Sequence, residues 1–196
     1  EIIVATDHES IADAARAVGA EAVLTDPELP SGTDRINAAM KGRAGDVIIN
    51  LQGDEPGMPA ATVARAHAAL LATGADAATA CVPIYQREHF ESPNVVKVVR
   101  GDTDRALYFS RSPIPSASRR PAGELNAPGA LFGYKHLGLY IYRRAALERF
   151  CALPPSALEQ IEKLEQLRML EAGMSLVCVT SDSDSVGVDV VEDIKR

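Results

Sequence analysis

The stretch VIINLQGDEP, residues 47–56, decides how the rest of the chain is read. Val47, Ile48 and Ile49 are β-branched and apolar, the composition of a buried strand. Gln52, Gly53, Asp54 and Glu55 then follow at once. Such an ending has two readings: a solvated strand end, or a strand that delivers carboxylates to a metal or phosphate. Open α/β sheets bind ligands outside the carboxyl ends of their strands, so the choice turns on what the flanking sequence builds.

Upstream, residues 1–5 read as a strand. Thr6-Asp7-His8 follows, then a helical pattern through Ile11, Ala14, Ala15 and Val18 that Gly19 closes. Residues 22–24 give a short strand and 34–41 a helix; downstream, 59–73 is a helix closed by Gly74 and 77–82 a strand. This alternation predicts an α/β fold, a mostly parallel sheet with helices on both faces. Past Pro83, strands at 95–99, 106–109 and 137–142 have no full helices between them, so the sheet is mixed. Residues 110–134, rich in Pro, Ser, Gly and Ala, are too long for an ordinary connection and are expected to form a lid or a dimer-contact arm. The last third reads as a long helix over 156–172, a strand over 176–179, a polar loop at 181–185, Gly187-Val188-Asp189 and a short final helix.

A chain of 196 residues fits one domain, and its net charge of -7 argues against a nucleic-acid surface. The apolar residues 60–83 are broken by Arg65, His67 and Asp76 and cannot span a bilayer, and no signal-like pattern opens the chain. Cys81, Cys151 and Cys178 lack CxxC spacing and read as buried free thiols. Small-molecule partners and a cytoplasmic location follow as expectations.

Four groups of residues carry chemistry. Mg²⁺ takes one or two carboxylates and fills its other positions with water and phosphate oxygens, which Asp54 with Asp189 would satisfy; each could equally cap a turn. Ser31-Gly32-Thr33-Asp34-Arg35 opens a helix whose free N–H groups favour anionic or polar ligand edges, or Ser31 or Thr33 is simply its N-cap. In His136-Leu137-Gly138-Leu139-Tyr140, strand geometry puts His136, Gly138 and Tyr140 on one face, either a ligand wall or a half-exposed, bulged strand. Ser156 and Glu159 form a capping box. Farther along that helix, Glu165 falls on the apolar face with Leu158, Ile161 and Met169, next to Gln166. A carboxylate there needs a ligand or a structural partner such as Arg111 or Arg168. GxGxxG, GxxxxGK[ST] and an early basic glycine loop are all missing.

The ordered set ATDHE, SGTDR, NLQGDEP, NVVKVV, ALYFSRSPIP, HLGLYIYRR, LEQIEKLEQLRMLEAG and GVDVVEDI resembles the 3-deoxy-manno-octulosonate (Kdo) cytidylyltransferases along the whole chain. The resemblance implies a Rossmann-like nucleotidyltransferase fold with a dimerisation arm, and Mg²⁺-dependent transfer of CMP from CTP to Kdo for lipopolysaccharide synthesis, in a cytoplasmic homodimer. By matching motif it implies Asp54 and Asp189 as catalytic metal ligands. Thr6, Ser31, Gly32 and Gln52 would lie around the cytidine, and Arg111, His136, Tyr140, Glu165 and Gln166 around Kdo. It also implies a triphosphate-holding loop, ARxxSTRxPGKxL, ahead of Glu1, so little or no turnover is expected from the 196 residues alone. Another acidic sugar such as sialate, or a non-catalytic sugar-binding or dimerising module, are the alternatives.

Overall fold

The computed structural model describes residues 1–185, 187 and 188; Asp189 and the expected final helix lie outside the described residues. Strand β1 (Ile3–Thr6), helix α1 (Glu9–Ala17) and strand β2 (Glu21–Leu24) form a parallel βαβ unit that is a sheet of its own. Helix α2 (Gly32–Ala39) leads into β3 (Val47–Leu51), and α3 (Ala60–Thr73) into β4 (Ala77–Ile84). The chain continues through α4 (Arg87–Glu91), β5 (Lys97–Arg100), β6 (Ala106–Ser110), α5 (Ala122–Leu125) and β7 (Gly133–Arg143). It closes with α6 (Arg144–Cys151), α7 (Ala157–Glu162), α8 (Gln166–Glu171) and β8 (Leu176–Thr180).

The main sheet has the order β6-β5-β7-β4-β8, with β3 also paired to β7. Strands β3, β4 and β5 are each antiparallel to β7, and β8 is parallel to β4. Thus β3, β4, β5 and β8 share one direction while the reversed β7 is inserted among them, which makes the sheet mixed, as expected past Pro83.

Strand β7 is the longest, at 11 residues, and the way its edges are used positions the site. One edge pairs with β4. The other is divided, β3 taking residues 139–143 and β5 only residues 134 and 135. Between them no strand among the described residues completes the ladder; His136 N–H donates to the Val96 carbonyl at 2.8 Å and Gln52 N–H to the Gly138 carbonyl at 3.4 Å. Opposite this opening β7 bulges, because Thr79 faces Tyr140 while Ala80 faces Leu137. Gly138 and Leu139 are the extra residues on β7 at this irregularity.

Period-2 alternation sends Leu137, Leu139 and Ile141 to one face, where Ala66 and Leu70 of α3 cover them. Tyr140 and Tyr142 go to the other, packed with Ile48 and with Leu147 and Phe150 of α6 and Leu167 and Met169 of α8. Helix α6 has no counterpart in the sequence reading. Two expectations about apolar faces fail for one reason, that apolar character does not by itself supply a covering layer. Strand β3 is covered on one side only, leaving Ile49 48% and Leu51 47% exposed. In α1 the buried residues are Ala12 and Ala15, while Ile11 and Val18 face outward. An apolar groove of about 370 Å³ runs between β1 and β3, with Ile3, Ala5, Val47 and Ile49 in its walls. Cys81 and Cys178 are buried free thiols as expected, whereas Cys151 is only half-buried.

Residues 110–134 are not a bare loop. They contain α5, and Phe132 packs with Ile84 and Phe90 as a small separate core, the two phenyl rings 5.8 Å apart. The first residues of this segment are held by Lys97, fully buried with its ammonium donating to the carbonyls of Ser92 (2.8 Å), Val95 (2.6 Å) and Arg111. Removing that donor leaves buried acceptors unsatisfied. Lys97→Met is expected to lower the free energy of unfolding by about 3 kcal/mol, measured by urea titration; a loss below about 1 kcal/mol would show that the carbonyls find other donors.

Candidate active site

The split between β3 and β5 opens into a cavity of about 430 Å³. The predicted face of β7, His136, Gly138 and Tyr140, lines it, and the strand is also bulged there. Gln52, Asp54 and Glu55, on the loop leaving β3, line one side, with Gly32 at the start of α2 close to Gln52. Lys163, Glu165, Gln166 and Arg111 line the cavity as well. Gly138 leaves little room to spare: a Cβ there would stand 3.1 Å from Glu55 Cγ and 3.3 Å from Gln52 Cγ, so those side chains would have to give way slightly.

Eight residues to which the resemblance gives a role thus share one cavity: Gly32, Gln52, Asp54, Arg111, His136, Tyr140, Glu165 and Gln166. Thr6 and Ser31 stand outside its wall. Thr6 Oγ accepts from His8 N–H at 3.1 Å and its carbonyl accepts from Thr25 N–H at 2.9 Å, tying β1 to its neighbours. Ser31 is the N-cap of α2, accepting from Asp34 N–H at 3.2 Å and donating to the Asp34 carboxylate at 2.7 Å. Asp189 lies outside the described residues, but Val188 before it donates its N–H to the Asp54 carbonyl at 2.7 Å.

The expected long helix over 156–172 is two helices. Its capping box forms as predicted, Ser156 and Glu159 bonding reciprocally, but Lys163 turns left-handed at φ 56° and ends α7. Arg111 explains the stop. Its Nε donates to the Glu162 carbonyl at 3.0 Å, and its backbone N–H to the Glu162 carboxylate at 3.0 Å, where Ser110 Oγ also donates at 2.6 Å. Helix ends leave carbonyls without intrahelical donors, and a guanidinium at that end also complements the dipole. The break leaves Ile161 77% exposed, off the apolar face assigned to it, and sets Glu165 at the entry to α8, facing the cavity.

Neither basic residue considered as a structural partner for Glu165 takes that role. Arg168 is paired with Glu159, Nε to Oε2 at 2.8 Å, and Arg111 is held by the end of α7. Glu165 instead accepts a 2.6 Å hydrogen bond from Thr33 Oγ. Burial raises its carboxyl pKa above the ordinary glutamate value, and the Thr33 bond only partly offsets this. Burial also holds His136 neutral, pushing its imidazole down to about 3. The resemblance assigns no site role to Thr33, Glu55 or Lys163, although Glu55 and Lys163 line the cavity and Thr33 bonds Glu165. Glu55 was in view as the second carboxylate of GDE, and its Oε2 is buried without a partner among the described residues. Asp54 is exposed on the cavity wall, and among the described residues no group of three or more His, Cys, Asp or Glu side chains is gathered to hold a metal ion.

A sequence profile described as Cytidylyltransferase matches residues 1–176. The chain belongs to the cytidylyltransferase family. A 3-deoxy-manno-octulosonate cytidylyltransferase of Bdellovibrio bacteriovorus is 46% identical over 199 residues, covering 100% of this chain and 78% of that protein. The protein of the same name from Parvibaculum lavamentivorans is 46% identical over 204 residues, with 100% and 74% covered. Among solved structures, CMP:2-keto-3-deoxy-manno-octonic acid synthetase complexed with CTP superposes with a TM-score of 0.87 at 36% identity, over 100% of this chain and 78% of that one. This cytidylyltransferase therefore has a nucleotidyltransferase fold, as the sequence implied.

The position of Glu165 gives a stability test. Its raised pKa means that the folded state disfavours the charged carboxylate, so the stability available while it is protonated is lost as pH rises through the folded value. Glu165→Gln should leave the thermal midpoint at pH 7 unchanged or higher. Its advantage should shrink toward about pH 4, where glutamate protonates in the unfolded chain as well. A midpoint lowered at neutral pH would mean that the charge is stabilised in place.

Proposed function

We propose that this cytidylyltransferase transfers CMP from CTP to Kdo, releasing pyrophosphate and forming CMP-Kdo for lipopolysaccharide synthesis. The observation that carries this reading is the single cavity in which the carboxylate loop after β3 meets the His136-Gly138-Tyr140 wall and Glu165. The relatives and the CTP-complexed structure named above support it. On this reading Gln52 and Gly32 contact the cytidine, with Thr6 and Ser31 supporting its border. Arg111, His136, Tyr140, Glu165 and Gln166 hold the sugar acid. A neutral imidazole, a phenol and a carboxylate suit a polyhydroxylated ligand, because together they offer hydrogen-bond donors and acceptors around one concave surface.

Asp54 and Asp189 would hold Mg²⁺, which when bound supplies positive charge against the phosphate oxygens and the attacking hydroxyl. The residues of the chain itself contribute placement: they bring the Kdo 2-hydroxyl in line with the α-phosphorus, and no side chain need act as a nucleophile. We further propose a homodimer in the cytoplasm, with residues 110–134 at the contact. Among the described residues no helix is long and apolar enough to cross a membrane.

Pyrophosphate release should be measured with CTP, Kdo and Mg²⁺, from the chain alone and joined to the loop-bearing segment that the resemblance places ahead of Glu1. Activity with Kdo but not sialate is expected from the joined form; a folded protein silent with both sugars would sink the proposal. In that form Asp54→Asn should cut turnover by at least about a thousandfold, roughly 4 kcal/mol of transition-state stabilisation, with the thermal midpoint little changed. Turnover that survives the change would rule Asp54 out as the metal ligand.

A further inference from the structure

Thr79 lies on β4 directly behind the cavity floor, fully buried and opposite Tyr140 where β7 bulges. Its hydroxyl makes two contacts, to the Leu139 carbonyl at 2.7 Å and to His136 Nε2 at 2.8 Å. A threonine hydroxyl has one hydrogen, and a carbonyl oxygen can only accept. The hydrogen therefore goes to Leu139, and the oxygen must accept from the ring, which places the imidazole proton on Nε2. Phe109 meets the ring edge-on with centroids 5.0 Å apart, and Tyr140 packs at 5.3 Å, so rotation of the imidazole away from Thr79 is resisted on two sides. Nδ1 has no partner among the described residues, and the ring forms part of the cavity wall.

From this geometry we propose that Thr79 is a positioning residue that fixes His136 as the Nε2–H tautomer, so that Nδ1 accepts a hydrogen bond from a hydroxyl of the bound sugar acid. The proposal rests on the sugar-site reading above and deepens it by saying which group His136 recognises. An unprotonated nitrogen can accept from a hydroxyl but repels a carboxylate, so His136 reads the polyol part of the ligand and the acid group must be held elsewhere. The bulge has a purpose in this arrangement: it swings the Leu139 carbonyl to where it can claim the Thr79 hydrogen.

Nitrogen-15 NMR of the histidine rings tests the tautomer on the free 196-residue chain, with His136 assigned by its loss in His136→Gln. The expected result is a protonated Nε2 and an unprotonated Nδ1, the latter moving upfield when Kdo is added. Thr79→Val should release the tautomer and weaken Kdo binding in calorimetry about tenfold, the worth of one hydrogen bond. Thr79→Ser, which keeps the hydroxyl, should restore both, and this rescue separates positioning from a general packing role. A proton on Nδ1 in the free protein, or an unchanged ring in folded Thr79→Val, overturns the assignment. The expected tautomer with no response to Kdo would instead overturn the sugar-site reading on which the ligand part rests.

Discussion

The divided edge of β7 is the constraint on which the rest of this molecule depends. A strand has two edges; β4 occupies one, and β3 and β5 must share the other. Two strands that meet one edge at different heights leave backbone between them without a ladder, and buried backbone groups must be satisfied somehow. Here Val96 and Gln52 take single bonds across the opening, which suffices for the backbone and still leaves a concavity. The cavity is thus a consequence of the sheet's connectivity, and the residues that face it are those that lie beside the opening.

Around that opening the chain accepts local costs. Glu165 is held in a position where burial works against its charge, Glu55 keeps a buried oxygen without a partner, and Lys163 adopts a left-handed conformation without being glycine. Each departs from what would stabilise the fold alone, and departures of this kind concentrate where a site must meet a ligand. The cations nearby are mostly committed to structure. Arg111 terminates α7, Arg168 fixes the capping-box glutamate and Lys97 gathers three carbonyls. That division leaves the carboxylates and the neutral rings free to address the cavity.

Periodicity made much of this legible beforehand. The order of strands and helices, the capping box at Ser156, the closing Gly74 with φ of 69° and the shared face of His136, Gly138 and Tyr140 are all local, set by residues within a few positions of one another. The failures share a different property. The break after Glu162 has no glycine or proline to announce it, because its cause is Arg111, some fifty residues earlier in the chain. The bare faces of β3 and α1 fail likewise, since whether an apolar residue is covered depends on where another element lies.

The sequence by itself determined the α/β class, because strand and helix periods are written in neighbouring positions, and its motifs carried the resemblance to the family and named eight of the residues that line the cavity. Only the tertiary structure decided that β7 would be shared between two strands, that Glu165 would turn into the opening and that Thr79 would stand behind His136. Those facts rest on contacts between residues 36 to 132 positions apart, such as Val98 with Tyr134 and Thr33 with Glu165. Local propensity carries no information about partners at that distance; packing and the need to satisfy buried polar groups select them.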